Sequence, residues 1–234
     1  MVKRTREIWI SPALMILFLL AAGIACGCLQ QAPAGAGAVQ GPQDAGMVPG
    51  LLATVPDVRQ SQSYSCGASS LQAVLHYWGI DAREGVLIGE LGTSEEAGTS
   101  PGALVRVAQN YGLSAGLRTN LTLDDLAQAN SEGVPVIVAC QAWRDESEAS
   151  LPWESVWESG HYMVVIGIDD ENVYFEDPSL LGTRGIIPRD EFLSRWHDYE
   201  GKPPFGNSSE VFYHAGIFIR GSGPASYERF TRVD

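Results

Sequence analysis

From Val134 onward the apolar residues of this chain stop recurring at helical spacing. They gather in short β-branched and aromatic runs: VPVIVACQAW, HYMVVIGID, VYFED and VFYHAGIFIR. Runs of this length, parted by turn-rich stretches such as DDEN, predict the strands of a sheet. Before Val134 the spacing is three-and-four: Ala68, Leu71, Val74, Leu75 and Trp78 share one face of a helix opening at Cys66, with Gly79 placed for a left-handed C-cap. Residues 83–91 read as a second short helix stopped at Gly92. Ser100 as N-cap with Pro101 at the first helical position opens a third, which runs through Tyr111 and closes at Gly112. LSAGLR reads as a strand, and Thr122 with Asp125 as the capping box of a helix to about Asn130. Helices first and strands later predict an α+β fold, an N-terminal helical part packed on an antiparallel sheet.

The first residues read as an address. Lys3, Arg4 and Arg6 precede an apolar run from Ile8 to Ala25, close to the ~20 residues that span a bilayer. A cleaved signal peptide, a retained anchor and a lipoprotein site at Cys26 or Cys28 all fit. Residues 29–50, rich in Gly, Ala, Gln and Pro, are expected to be a flexible tether. The expected organisation is therefore a targeting segment over 1–28, a tether over 29–50 and one domain over 51–234, exported to the outer face of the membrane or secreted. Net charge is −13, and no Lys/Arg cluster follows the first few residues, so the chain lacks the means to grip nucleic-acid phosphates.

Of four cysteines, Cys26 and Cys28 fall in the targeting segment, which leaves Cys66 and Cys140 to the domain. Cys140 lies in a run that reads as a buried strand, where a cysteine is an inert small hydrophobe. A disulfide between the two is not expected. There is no C-x-x-C or H-x-x-x-H spacing, and neither a metal nor any other cofactor is expected.

Cys66 differs because it opens a helix. Unpaired first-turn N–H groups and the macrodipole favour its thiolate, which makes a nucleophile. Such a thiol needs a base, an orienter and oxyanion donors. Among the four histidines, His161 begins a strand directly after Ser159-Gly160 and is the best base. Asp177 ends the next strand, and a tight DDEN turn lays the two strands antiparallel with their far ends adjacent, bringing the carboxylate beside the imidazole. The amide of Gln60 would serve the oxyanion with the Cys66 N–H, and Gln62 competes for that role. His76, His197 and His214 read as packing or surface residues. Residues 144–159 form an acidic insertion in which Trp153 and Trp157, with Trp143 just before it, are candidates for a cleft rim.

Gln60 with Cys66-Gly67-Ala68, then GHYMVVIGID, then EDP, then GTRGIIPRDEFLSRW resemble in that order the bacteriocin-processing double-glycine peptidases and their stand-alone relatives. These are papain-like cysteine peptidases, and the resemblance runs from Val55 to about Trp196. It implies a papain-like fold, Cys66 as nucleophile, His161 as base, Asp177 as orienter, Gln60 at the oxyanion hole, and hydrolysis of a peptide or protein through a thioester acyl-enzyme. Two departures stand out. Ser65 occupies the place where the family has Asp, and no G-x-x-x-x-G-K-[ST] loop is present, so the leader-peptide substrate of the transporter-linked members does not carry over. The same residues also fit acyl transfer to an amine, and the fold without the chemistry fits a surface module that binds peptides or cell-envelope fragments.

Overall fold

A computed structural model describes residues 48–144, 146–201 and 203–226. The targeting segment expected over 1–28 and all but the last residues of the expected tether lie outside them. Among the described residues no helix is long and apolar enough to cross a membrane. Val48, inside the stretch expected to be tether, is already packed: its side chain is buried against Gly167, and the Leu52 amide donates to the Ile166 carbonyl.

In chain order the elements are α1 (Cys66–Tyr77), α2 (Glu84–Leu91), α3 (Pro101–Asn110), β1 (Ser114–Arg118), α4 (Leu123–Ser131), β2 (Val136–Gln141), β3 (Gly160–Ile168), β4 (Asn172–Glu176), β5 (Gly185–Pro188), α5 (Arg189–Arg195), β6 (His197–Glu200), β7 (Glu210–Tyr213) and β8 (Gly216–Arg220). Six strands make an antiparallel sheet in the order β1-β8-β2-β3-β4-β5, and β6 with β7 makes a separate ribbon. The mixed layout of helices and antiparallel sheet is the α+β fold read from the sequence.

Strand β3 is buried along nearly its whole length because both faces of the sheet are covered. Tyr162, Val164 and Ile166 meet Leu71, Val74 and Leu75 of α1, while Met163 and Val165 meet Leu126 of α4 together with Phe192 and Trp196 around α5. Each fully buried Leu or Val of α1 contributes about 1.5–3 kcal/mol. The helix is thus held by its apolar face rather than by a side-chain cap, which Ser65 does not supply. A buried hydroxyl adds direction: Ser70 of α1 donates to the Tyr162 carbonyl at 3.1 Å, fixing α1 against the start of β3.

Local signals act as expected at several ends. Thr122 and Asp125 form the capping box of α4, and Asp169 folds the DDEN turn by accepting from the Glu171 and Asn172 amides at 2.9 and 2.7 Å. One expectation fails. VFYHAGIFIR is two strands in two sheets, broken at His214, whose φ is +47°. The break is held on three sides: the His214 amide donates to the Trp196 carbonyl, its ring stacks on Trp196, and its Nδ1 meets the Leu121 carbonyl at 3.0 Å.

Candidate active site

Cys66 stands at the first position of α1 on a loop built by polar contacts. The carboxylate of Glu84, at the start of α2, accepts from the Ser61 amide and from the hydroxyls of Ser65 and Ser69 at 2.9, 2.6 and 2.9 Å. Partial burial works against that carboxylate's charge, yet the three serines overcome it and hold its pKa below the ordinary value. Where the resemblance leads one to expect Asp at position 65, the chain thus has a fully buried serine leaning on a carboxylate from the next helix. Gly67 admits a neighbour as well as leaving the thiol open: a Cβ there would lie 2.7 Å from Thr99 side-chain atoms.

His161 is the second residue of β3, and its side chain is almost wholly buried. Its Nε2 meets Asp177 Oδ1 at 2.7 Å, so Nδ1 is the nitrogen left for the Cys66 sulfur, with which the ring makes a hydrogen bond. Burial alone would lower the imidazole pKa. The bonds to Asp177 and Cys66 outweigh it and raise the value to about 10. For the thiol, burial pushes up, but the His161 bond and charge and the Tyr162 backbone pull it below the ordinary value. Both shifts favour the charged forms, a thiolate beside an imidazolium.

Asp177 completes the row. Its Oδ1 also accepts from the Ser179 amide at 2.8 Å, and Oδ2 accepts from the Trp143 indole N–H at 3.0 Å. Burial opposes the charge of this carboxylate, and His161, Ser179 and Trp143 together keep its pKa low. The sequence makes Trp143 a candidate for a cleft rim. The structure gives it a second task, that of bracing Asp177, from a backbone with φ +55°, a conformation unusual for a non-glycine residue. Next to Asp177, Glu176 is fully buried. Burial raises its pKa to about 8, and one of its oxygens accepts from the Val58 amide at 2.8 Å.

That bond and the one from the Gln60 amide to the Pro178 carbonyl, 2.9 Å, tie the loop before Cys66 to the loop after β4. Gln60 therefore lines a cavity of about 210 Å³ with His161, Trp143 and Ser179, whereas Gln62 is exposed and absent from its wall. In this structure the Gln60 side-chain N–H donates to the Gln62 carbonyl at 2.8 Å, and its Oε1 accepts from Ser179 Oγ at 3.3 Å. Cys66 lines a second cavity of about 310 Å³, which adjoins the first and shares Ser63, Glu158 and Gly160 with it.

Cys140 is buried in β2, its thiol pushed upward in pKa by burial, and both it and Cys66 are free thiols. His197 is buried, its Nε2 on the Val156 carbonyl. Glu84 and Glu176 hold the chain around Cys66 and Asp177, Asp198 lines the cavity beside Cys66, and the sequence singles out none of the three. The adjacency of Glu176 to Asp177 was the one visible signal.

The family model described as Peptidase_C39 like family matches residues 52–203, a span that contains all four of Gln60, Cys66, His161 and Asp177. The chain belongs to this C39-like peptidase family. An uncharacterized protein of Methanothermobacter marburgensis is 31% identical over 136 residues, which is 58% of this chain and 78% of that protein. An uncharacterized protein of Methanothermobacter thermautotrophicus is 32% identical over 123 residues, 53% of this chain and 71% of its own length. The crystal structure of a putative C39-like peptidase from Bacillus anthracis superposes with a TM-score of 0.55 at 22% identity, covering 74% of this chain and 98% of the other. That likeness places the fold among the C39-like, papain-like peptidase domains.

Proposed function

We propose that this C39-like chain is an exported cysteine peptidase. The observation that carries the reading is the row of Cys66, His161 and Asp177, with the imidazole between the sulfur and the carboxylate, whose Oδ1 lies 2.7 Å from Nε2, beside an open cleft. The Cys66 thiolate forms a bond to the carbonyl carbon of a peptide. Oxyanion donors are the Cys66 N–H, one of the first-turn amides that a helix leaves unpaired, and the Gln60 amide once it turns from the Gln62 carbonyl. His161, holding a proton on Nδ1, delivers it to the leaving nitrogen and the C–N bond breaks, which leaves a thioester. Water then gives a proton to His161 and attacks the thioester, releasing the acid and restoring the thiolate. Asp177 keeps the ring oriented and stabilises its charge throughout.

Labelling tests this directly. A peptide-epoxide probe should modify Cys66 in the wild type and do so poorly in His161→Ala; equal labelling of both proteins would reject an activated thiol. A peptide-library digest by wild type but not by Cys66→Ala would establish turnover. Export rests on the basic-then-apolar N-terminus, and the mass of the mature N-terminus decides among cleavage, lipidation and retention.

One observation favours a second reading, a binding module without turnover: the Gln60 amide is spent on the Gln62 carbonyl. On that reading peptides bind Cys66→Ala as well as wild type, and neither cleaves them.

A further inference from the structure

The cavity on the Cys66 side holds a charge that thiol chemistry does not ask for. Asp198 of β6 lines it with Cys66, Gly160 and Tyr162, and Glu158 lines it as well. The carboxylate lies so close to Gly160 that a Cβ there would sit 2.8 Å from both of its oxygens, so the residue before His161 must be glycine for Asp198 to stay where it is. Gln141 Nε2 and the Tyr199 amide hold Oδ1 at 3.3 and 2.9 Å. Placed there, the carboxylate repels the Cys66 thiolate and attracts the His161 imidazolium, and its own pKa is raised to about 7, mainly by burial. Among the described residues the cavity wall holds Asp198, Glu158, Glu95 and Glu96 but no Lys or Arg, so a cation carried by the substrate would find an acidic site there.

The direction of the cleft says which part of the substrate brings it. His161 must hand its proton to the departing nitrogen, so the leaving half of a peptide lies in the cavity walled by His161, Gln60 and Trp143. The acyl half, bonded to sulfur, then extends into the cavity that Asp198 lines. We propose that Asp198 is the specificity-determining residue of an acyl-side subsite that takes a lysine or arginine side chain of the substrate. The proposal rests on the peptidase reading above. Trp157, stacked on Phe205 at 4.2 Å between ring centroids, and Tyr162 offer aromatic walls for the alkyl stem, while Asp198 meets the cationic head.

The test uses N-acetylated fluorogenic peptides in pairs, arginine against citrulline and lysine against norleucine, at each of the two positions on the acyl side. Acetylation removes the terminal amine, so any preference belongs to the side chain. Wild type is expected to prefer the cation at one of the two positions by about tenfold or more in kcat/KM, the factor one charge-assisted hydrogen bond supplies. In Asp198→Asn that ratio should fall to near unity. A wild-type ratio near one, a ratio unmoved by Asp198→Asn, or cleavage confined to peptides with a free amino terminus would overturn the proposal. If Asp198→Asn does not fold, the wild-type pairs and Asp198→Glu, which keeps the charge and should keep a cation preference, decide the matter. If no peptide is cleaved and Cys66 resists electrophiles, the peptidase reading has failed, and binding of the same pairs to Cys66→Ala still decides the subsite: a cation preference supports it, equal binding rejects it.

Discussion

Alkylation of Cys66 as a function of pH separates an ion-paired thiol from an ordinary one. In the wild type the hydrogen bond and charge of His161 lower the thiol pKa against the upward push of burial, and the imidazole pKa is itself raised to about 10. Replacing the ring in His161→Ala removes the largest lowering influence and leaves burial, so the thiol pKa should move up past its ordinary value. Below its pKa a thiol gains about tenfold in thiolate per pH unit, so iodoacetamide should modify His161→Ala about 100-fold faster at pH 8 than at pH 6. The wild-type profile should be markedly flatter across the same interval, because its thiolate forms at lower pH. Comparing slopes rather than rates avoids a confusion: a thiolate of lower pKa is intrinsically the weaker nucleophile, with a Brønsted coefficient of about 0.4–0.5, and that factor cancels within each protein's own profile. Labelling at Cys66, counted by mass spectrometry with Cys66→Ala as blank, gives the rates. Superimposable profiles would refute the pairing of sulfur with ring.

Trp143→Phe removes the N–H that meets Asp177 Oδ2 at 3.0 Å; kcat/KM is expected to fall about tenfold, since a lost bond to a charged group costs about 1.5–3 kcal/mol and water reaches this exposed indole to offset part, and unchanged turnover would remove Trp143 from the supporting role. Glu176→Gln should stabilise the fold. Its folded pKa, about 8, lies above the unfolded value, so the protein binds the extra proton when folded; stability is fullest below the unfolded pKa and is lost as pH rises toward about 8. The gain in Tm from Glu176→Gln should therefore be absent near pH 4, grow up to about pH 8 and level beyond it, and a pH-independent difference would count against the assignment. Glu84→Ala strips the shared acceptor from Ser61, Ser65 and Ser69 and should cost about 1–3 kcal/mol in chemical denaturation, with Glu84→Gln intermediate; no loss in either variant would mean that the serines find water instead.

The sequence spelled out what depends on near neighbours. Helical faces, the capping box of α4 and the DDEN turn are signals a few residues long, and each appears where expected. Cys66, His161 and Asp177 were legible because each sits at the end of a recognisable element, and the β3–β4 hairpin, with a register shift between Val165 and Gly167, brings the last two near each other. Glu84 was not legible, because its link to Ser65 spans 19 positions and arises from how α2 packs on α1. Strand β6, and Asp198 with it, hid in HDYE, a polar tetrapeptide whose pairing with β7 is settled by tertiary contacts rather than by any alternation of its own. VFYHAGIFIR misled for the opposite reason. Its strand propensity is genuine, but stacking of His214 on Trp196 and the left-handed backbone there divert the chain from one sheet to the other.

That diversion has an evolutionary consequence. The ribbon of β6 and β7 leaves the main body after Trp196 and rejoins it at Ala215, and the carbonyls of these two residues accept from the His214 amide and the Trp196 indole N–H. It is a cassette plugged into a socket, carrying Asp198 to the cleft while Cys66, His161 and Asp177 stay on the chassis. On the proposed reading, exchange of that cassette between relatives would change the substrate side chain accepted and leave the Cys66–His161–Asp177 row untouched.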